Sequence, residues 1–255
     1  CRSGRSAAAG CAMNVAVVTG AGGAIGSAVC KLLESEGWQV AALDLAEPRI
    51  LGPNMRFYSC DVASRIAVRD VVEDIEDHMG PITALVNVAG VLSTGSALEL
   101  KVSEFERVMR VNVQGTLIPC QLIGQLMAER KRGSIVNIGS VLGKNGGNAR
   151  PWLDSSEQTR AGGVAYGMSK AAVHSMTLFL AKELASAGVR VNAVAPGPIA
   201  TEMTTAFPEN LRALIPLGRM GRADEVAAAV SFMLSDKAGF ISGEILDING
   251  ALWCD

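Results

Sequence analysis

From residue 13 onward the chain alternates short, almost wholly apolar runs with longer stretches of helical periodicity, a rhythm that few folds accept. Residues 15–19, 39–44, 84–87, 134–138, 189–193 and 244–247 read as strands, with 56–60 as a further candidate. Strands that are apolar on both sides of the pleat belong in a sheet covered on both faces. Between them, 25–36, 64–78, 103–129, 164–187 and 223–235 carry helical patterns, and Gly37 and Gly188 supply stop signals after the first and fourth. Such alternation closes through right-handed crossovers. It predicts an α/β fold of Rossmann type: one domain with a doubly wound parallel sheet of about seven strands and helices on both faces. Ligands of these sheets bind beyond the carboxyl ends of the strands. A length of 255 residues with 49% apolar content suits one large core.

Several function classes are disfavoured by composition. The net charge is −2 and no run of five like charges occurs, so neither nucleic acid nor an anionic membrane is an expected partner. The six cysteines (Cys1, Cys11, Cys30, Cys60, Cys120, Cys254) form no Cys-x-x-Cys pair and the only histidines are His78 and His174, so metal-ligand spacing is absent. Reduced thiols and a cytoplasmic location are expected. No apolar run approaches the ~18 residues of a membrane span. Residues 1–12 hold Arg2 and Arg5 but lack the apolar region of a secretory signal. They read as a disordered leader or a cloning remnant, with the domain occupying 13–255.

The segment Thr19-Gly-Ala-Gly-Gly-Ala-Ile-Gly26 joins the first strand to the first helix. Its glycines permit a tight turn, and the helix start offers unpaired N–H groups to a pyrophosphate. Glycine-rich segments are often plain turns. Here Asp44 ends the second strand, 18 residues after Gly26, where a carboxylate can accept from adenosine ribose hydroxyls and would repel a 2′-phosphate. NAD(H) is therefore the expected cofactor, although a solvated strand end would also explain Asp44.

Tyr166 and Lys170 stand four residues apart, on one helix face. A phenol with a reference pKa of about 10 is a poor base at neutral pH, but an adjacent ammonium and a cationic nicotinamide both favour the phenolate. The pair by itself could equally be a buried tyrosine beside a solvated lysine. Ser140 follows the apolar strand 134–138 and can hydrogen-bond the same substrate oxygen, unless it serves only as a cap or turn residue.

With these motifs in place, the chain resembles the short-chain dehydrogenase/reductase family over nearly all of 13–251. The matches are 19–26, Asp61-Val62, Asn87-Val-Ala-Gly90, Val111-Asn112-Val113, Ser140, Tyr166-x-x-x-Lys170, Asn192, Pro196-Gly197 and Thr201. The resemblance implies that Ser140 positions the substrate and Tyr166 is the acid/base. Lys170 would hold the nicotinamide ribose and tune Tyr166, and Asn112 would continue a proton relay through water. It also implies that Gly20, Gly22, Gly23, Ala24 and Ile25 hold the pyrophosphate, that Asp44 and Leu45 meet the adenosine ribose, and that Asp61 and Val62 flank the adenine. Asn87, Ala89 and Gly90 would border the cofactor, and Pro196, Gly197, Ile199 and Thr201 the carboxamide. The chain departs from the family at Ala24, where glycine is usual, and at Val88, where asparagine is usual.

The 26-residue interval from Ser140 to Tyr166 is about twice what the resemblance leads one to expect, and its polar middle, 144–160, lies beside the site. Long loops in such places are more often functional than incidental. Trp152 is the candidate substrate wall, with Arg150 or Arg160 able to meet an anionic group; a solvent loop or subunit contact is the plainer alternative. Residues 202–217 read as a modest helical lid. The expected activity is hydride transfer between NAD(H) and a small-molecule secondary alcohol or ketone. Alternatives are a 3-oxoacyl-thioester reductase acting on carrier-protein or CoA substrates, and a non-catalytic dinucleotide-binding module. Carrier-protein reductases usually prefer NADPH and often carry arginine where this chain has Gly23; the basic 130–132 cluster would suit an acidic carrier. The apolar C-terminal stretch implies, by the same resemblance, a homotetramer.

Overall fold

The computed structural model describes residues 14–48, 51–147, 151–205 and 207–254. The expected leader, Met13 and the substrate candidate Arg150 lie outside the described residues. Seven strands, β1 (Val15–Thr19), β2 (Gln39–Asp44), β3 (Met55–Ser59), β4 (Ile82–Asn87), β5 (Gly133–Ile138), β6 (Val189–Pro196) and β7 (Ile245–Ile248), form one sheet in the order β3-β2-β1-β4-β5-β6-β7. Every pairing is parallel. The direction of winding reverses between β1 and β4, which opens a crevice at their carboxyl ends.

The helices are α1 (Ala24–Ser35), α2 (Arg65–His78), α3 (Val102–Met109), α4 (Gly115–Arg130), α5 (Leu142–Asn145), α6 (Ser155–Arg160), α7 (Val164–Leu184), α8 (Glu209–Arg212) and α9 (Ala223–Leu234). The period-2 pleat explains how they divide between faces. Ala16 and Val18 pack with Val29 and Leu33 of α1 and Val226 and Val230 of α9. Val15 and Val17 pack with Val68 and Ile75 of α2 and Ile123 and Met127 of α4. Each fully buried valine or leucine contributes about 1.5–3 kcal/mol, so a continuous apolar strand stabilises both layers at once. Among the described residues no helix is long and apolar enough to cross a membrane.

Three departures from the sequence reading have physical causes. The single helix expected over 103–129 is α3 and α4 joined by a wide π turn, Arg110–Gln114. The extra residue in that turn accompanies the fully buried Asn112, whose carbonyl accepts from Thr116 Oγ1 at 2.7 Å. The expected lid over 202–217 is a 3-10 turn, Glu202–Thr204, followed by the short α8. Pro208 separates them, because it lacks an N–H and disfavours helical backbone in the residue before it. β6 extends past 193 to Pro196, which stands beyond the last β5 pairing, Ile138 with Val194, so its missing N–H interrupts no paired stretch there.

Candidate active site

At the carboxyl end of β1 the chain turns through Gly20 in the left-handed region, φ +65, where a Cβ would lie 2.7 Å from both Cα and N of Ala89. Only glycine permits both the conformation and the approach. Thr19 locks the two loops together, its hydroxyl accepting from the N–H groups of Val88 at 3.1 Å and Ala89 at 3.2 Å. Val88 turns its side chain into the α1/α9 core cluster, which accounts for an apolar residue at this position. Gly23 caps α1 without a side-chain hydrogen bond, and no acidic residue occupies the first turn. The leading N–H groups at Ala24 and Ile25 are thus open to an anion.

Asp44 faces this turn. Its Oδ2 accepts from the Gly22 N–H at 2.8 Å and its Oδ1 from the Leu45 N–H at 2.7 Å. It forms no ion pair among the described residues, and each oxygen keeps lone-pair capacity for a hydroxyl donor. Farther along the sheet edge, Asp61 pairs with Arg110 at 2.6 Å and accepts from the Ala63 N–H at 3.0 Å, while Val62 is buried beside Gly115. Asn87 points its amide into the sheet, donating to Asn137 Oδ1 at 2.9 Å and Cys120 Sγ at 3.2 Å. On the opposite wall, the Gly197 N–H donates to the Ile248 carbonyl at 2.9 Å, and Ile199 bridges to Gly221. The Thr201 N–H donates to Thr204 Oγ1 at 3.0 Å.

Ser140, Tyr166, Lys170 and Asn112 meet where β5 ends against α7. Lys170 is 4% exposed, and its ammonium donates to the Ile138 carbonyl at 2.7 Å and to no other described residue. Burial lowers its pKa from the ordinary 10.5 to about 8. Its Nζ stands 5.6 Å from the centre of the Tyr166 ring. Burial pushes the Tyr166 phenol up, opposed by a hydrogen bond with Ser140. With no cofactor charge beside them, desolvation acts on both groups, raising the phenol and lowering the ammonium. Asn112 Oδ1 accepts from the Val91 N–H at 2.7 Å, and its Nδ2 donates to the Val91 carbonyl at 3.0 Å and to Ser169 Oγ at 2.9 Å. Gly90 runs alongside, its missing Cβ 3.3 Å from Asn112 Oδ1 and 3.6 Å from Lys170 Nζ.

The residues present fit a dinucleotide on two observations. One is the uncapped helix start beside a carboxylate that has no cationic partner among the described residues. The other is a buried ammonium with spare donors and no acidic partner among the described residues. Beyond Tyr166 lies a cavity of about 160 Å³, open to solvent and lined mostly by apolar side chains including Leu92, Leu142, Phe207 and Leu211. Trp152 and Arg160, from the long interval, both line it. Arg160 is braced by its own helix, Nε donating to the Ser156 carbonyl at 2.9 Å.

Two residues at the site carry no sequence signal strong enough to single them out. Thr19 acts through its hydroxyl across a gap of about 70 residues. His174 accepts the Ser140 N–H across 34 residues, and only its spacing of four from Lys170 is visible in the sequence.

A family model described as "Enoyl-(Acyl carrier protein) reductase" matches residues 20–252. The chain is 35% identical to a 3-oxoacyl-(acyl-carrier-protein) reductase of Thermotoga maritima, over 93% of this chain and 97% of that protein. It is 34% identical to a (3R)-3-hydroxyacyl-CoA dehydrogenase of Mus musculus, over 94% and 96% respectively. Its fold superposes on ligand-free aldohexose dehydrogenase of Thermoplasma acidophilum with a TM-score of 0.81 at 29% identity, covering 94% of each chain.

Proposed function

The chain belongs to the short-chain dehydrogenase/reductase family, and from that premise we propose that it is an NAD(H)-dependent oxidoreductase acting on secondary alcohols or ketones, with Tyr166 as general acid/base. The observation that carries this reading is the meeting of Ser140, Tyr166 and Lys170 at the sheet's carboxyl edge, joined to the glycine-rich turn through Ala89 and Gly90, which pack against Gly20 and Lys170 respectively. When bound, the nicotinamide supplies or accepts the hydride and, oxidised, adds a positive charge. In the reductive direction the Tyr166 hydroxyl gives its proton to the carbonyl oxygen while Ser140 donates a hydrogen bond to that oxygen. In the oxidative direction the Tyr166 phenolate takes the alcohol proton. Lys170 has donors to spare for ribose hydroxyls, and Asn112 ties the Val91 loop to Ser169 on the turn of α7 that carries the pair.

Asp44, already bonded to the Gly-rich turn, supports NAD(H) over NADP(H), since a 2′-phosphate there would meet a carboxylate. Tyr166→Phe tests the assignment of the proton: turnover should fall by about 10²–10⁴-fold while NADH binding is retained. Persistent turnover would sink it. A second reading, reduction of a 3-oxoacyl thioester, draws support from the names of the Thermotoga and mouse relatives and from the apolar cavity. Acetoacetyl-CoA against a panel of simple alcohols and polyols separates the two.

We further propose a cytoplasmic homotetramer. Cys30, Cys60 and Cys120 are buried free thiols that form no disulfide, the usual state of cysteines in a reducing compartment. β7 lies at the end of the sheet with Phe240 fully exposed nearby, an edge that a second copy would cover. Light scattering that finds a stable monomer would contradict the assembly.

A further inference from the structure

Tyr166 and Lys170 are followed, four residues further along α7, by His174, and the three succeed one another along one helix face against the end of β5. His174 is 6% exposed, and its Nε2 accepts the Ser140 N–H at 3.3 Å. That N–H has no partner in the sheet. Its neighbours Gly139 and Val141 donate to the Val194 and Pro196 carbonyls of β6, at 2.8 and 3.0 Å, and strand alternation turns Ser140 away from them. Acceptance at Nε2 requires the ring hydrogen on Nδ1, so the bond belongs to the neutral imidazole.

Room for the ring comes from two glycines. A Cβ on Gly139 would collide with His174 Nε2 and stand 2.6 Å from Cδ2, and a Cβ on Gly143 would lie 2.9 Å from Cε1. Gly139 and His174 are thus a fitted pair applied to the main chain of Ser140. The hydroxyl of that serine is held separately, accepting from the Leu142 N–H at 3.2 Å and bonding with Tyr166.

We propose that His174 is a positioning residue for hydride transfer: seated in the notch left by Gly139, it holds the Ser140 main chain so that the Ser140 hydroxyl and Tyr166 reach one substrate oxygen together. The proposal rests on the reading that Ser140 and Tyr166 meet the reacting oxygen. Its consequence is separable from packing, because the ring fills space and also accepts a hydrogen bond.

The test uses the full chain, ethyl acetoacetate as the ketone probe with NADH and NADPH both supplied, and reads kcat, KM, NADH affinity and Tm. Because a misplacement of about 1 Å can lower a rate by about 10²-fold, His174→Leu should lower kcat by about tenfold or more while NADH affinity stays within about twofold. His174→Gln places an amide oxygen near the Nε2 position and should recover most of the lost kcat. The deciding variant is Gly139→Ala combined with His174→Val, which exchanges volume across the same contact. Its Tm should return toward wild type while kcat stays low. If kcat returns together with Tm, or if folded His174→Leu turns over at the wild-type rate, the ring is only a filler and the proposal is overturned. Tyr166→Phe in the same assay checks the underlying reading independently: turnover that survives there would remove the acid/base assignment whatever the His174 variants do.

Discussion

Replacing Lys170 with methionine should make the protein no less stable at pH 7 while destroying its activity. The fall of the Lys170 pKa from the ordinary 10.5 to about 8 is caused by burial alone. At 1.36 kcal/mol per pKa unit it corresponds to about 3 kcal/mol of unfavourable charge burial below pH 8. The 2.7 Å bond from the ammonium to the Ile138 carbonyl offsets part of this, about 1.5–3 kcal/mol for a charged donor. The net effect of Lys170→Met is then between zero and a gain of about 2 kcal/mol, and for a chain of this size each kcal/mol moves Tm by about 2–4 °C. The sign of the pH dependence follows from the lowered value. Below about 8 the group is protonated in both folded and unfolded states, and the whole penalty is present. Between about 8 and 10.5 the unfolded chain binds the proton and the folded one does not, so wild-type stability gains from this group as pH rises. Denaturant unfolding at pH 7 and pH 9.5, wild type against Lys170→Met, isolates that contribution. A variant less stable by more than about 1 kcal/mol at pH 7, or one with the same pH slope as wild type, would refute the reasoning.

Asp44→Ala should narrow the preference for NADH over NADPH by about tenfold or more, measured as the ratio of kcat/KM values, because the carboxylate that opposes a 2′-phosphate is gone. A wild type that already prefers NADPH would count against the cofactor assignment outright. Trp152→Ala removes an aromatic wall of the substrate cavity and should raise KM for the ketone by about tenfold with NADH affinity unchanged. Unchanged KM across ethyl acetoacetate, acetoacetyl-CoA and a polyol would show that the 144–160 stretch does not shape the substrate.

Strands are the most legible part of this sequence. β1 and β2 match the expected ranges to the residue, and β3 differs by one position at each end. Runs buried on both faces leave no ambiguity of period, which is why they read clearly. Helix ends and interruptions read less well. The π turn around Asn112 adds a single residue to a pattern of period 3.6, and Pro208 divides what residue spacing presents as one lid. Tyr166 and Lys170 are legible as a pair because both lie on one helix.

By itself the sequence determined the alternation of buried strands and helices, the glycine-rich turn, the placement of Asp44 at a strand end and the Tyr166/Lys170 spacing. All of these are local, and local patterns survive in one dimension. Only the tertiary structure decided how the site is held: Thr19 tied to Val88 and Ala89, Asn112 to Val91 and Ser169, and Ser140 to His174 through the gap at Gly139. The same holds for protonation, since the burial that raises Tyr166 and lowers Lys170 is a property of the packed interior. Hydrogen bonds and desolvation act between groups brought together by the fold, across separations in sequence at which no periodicity remains to be read.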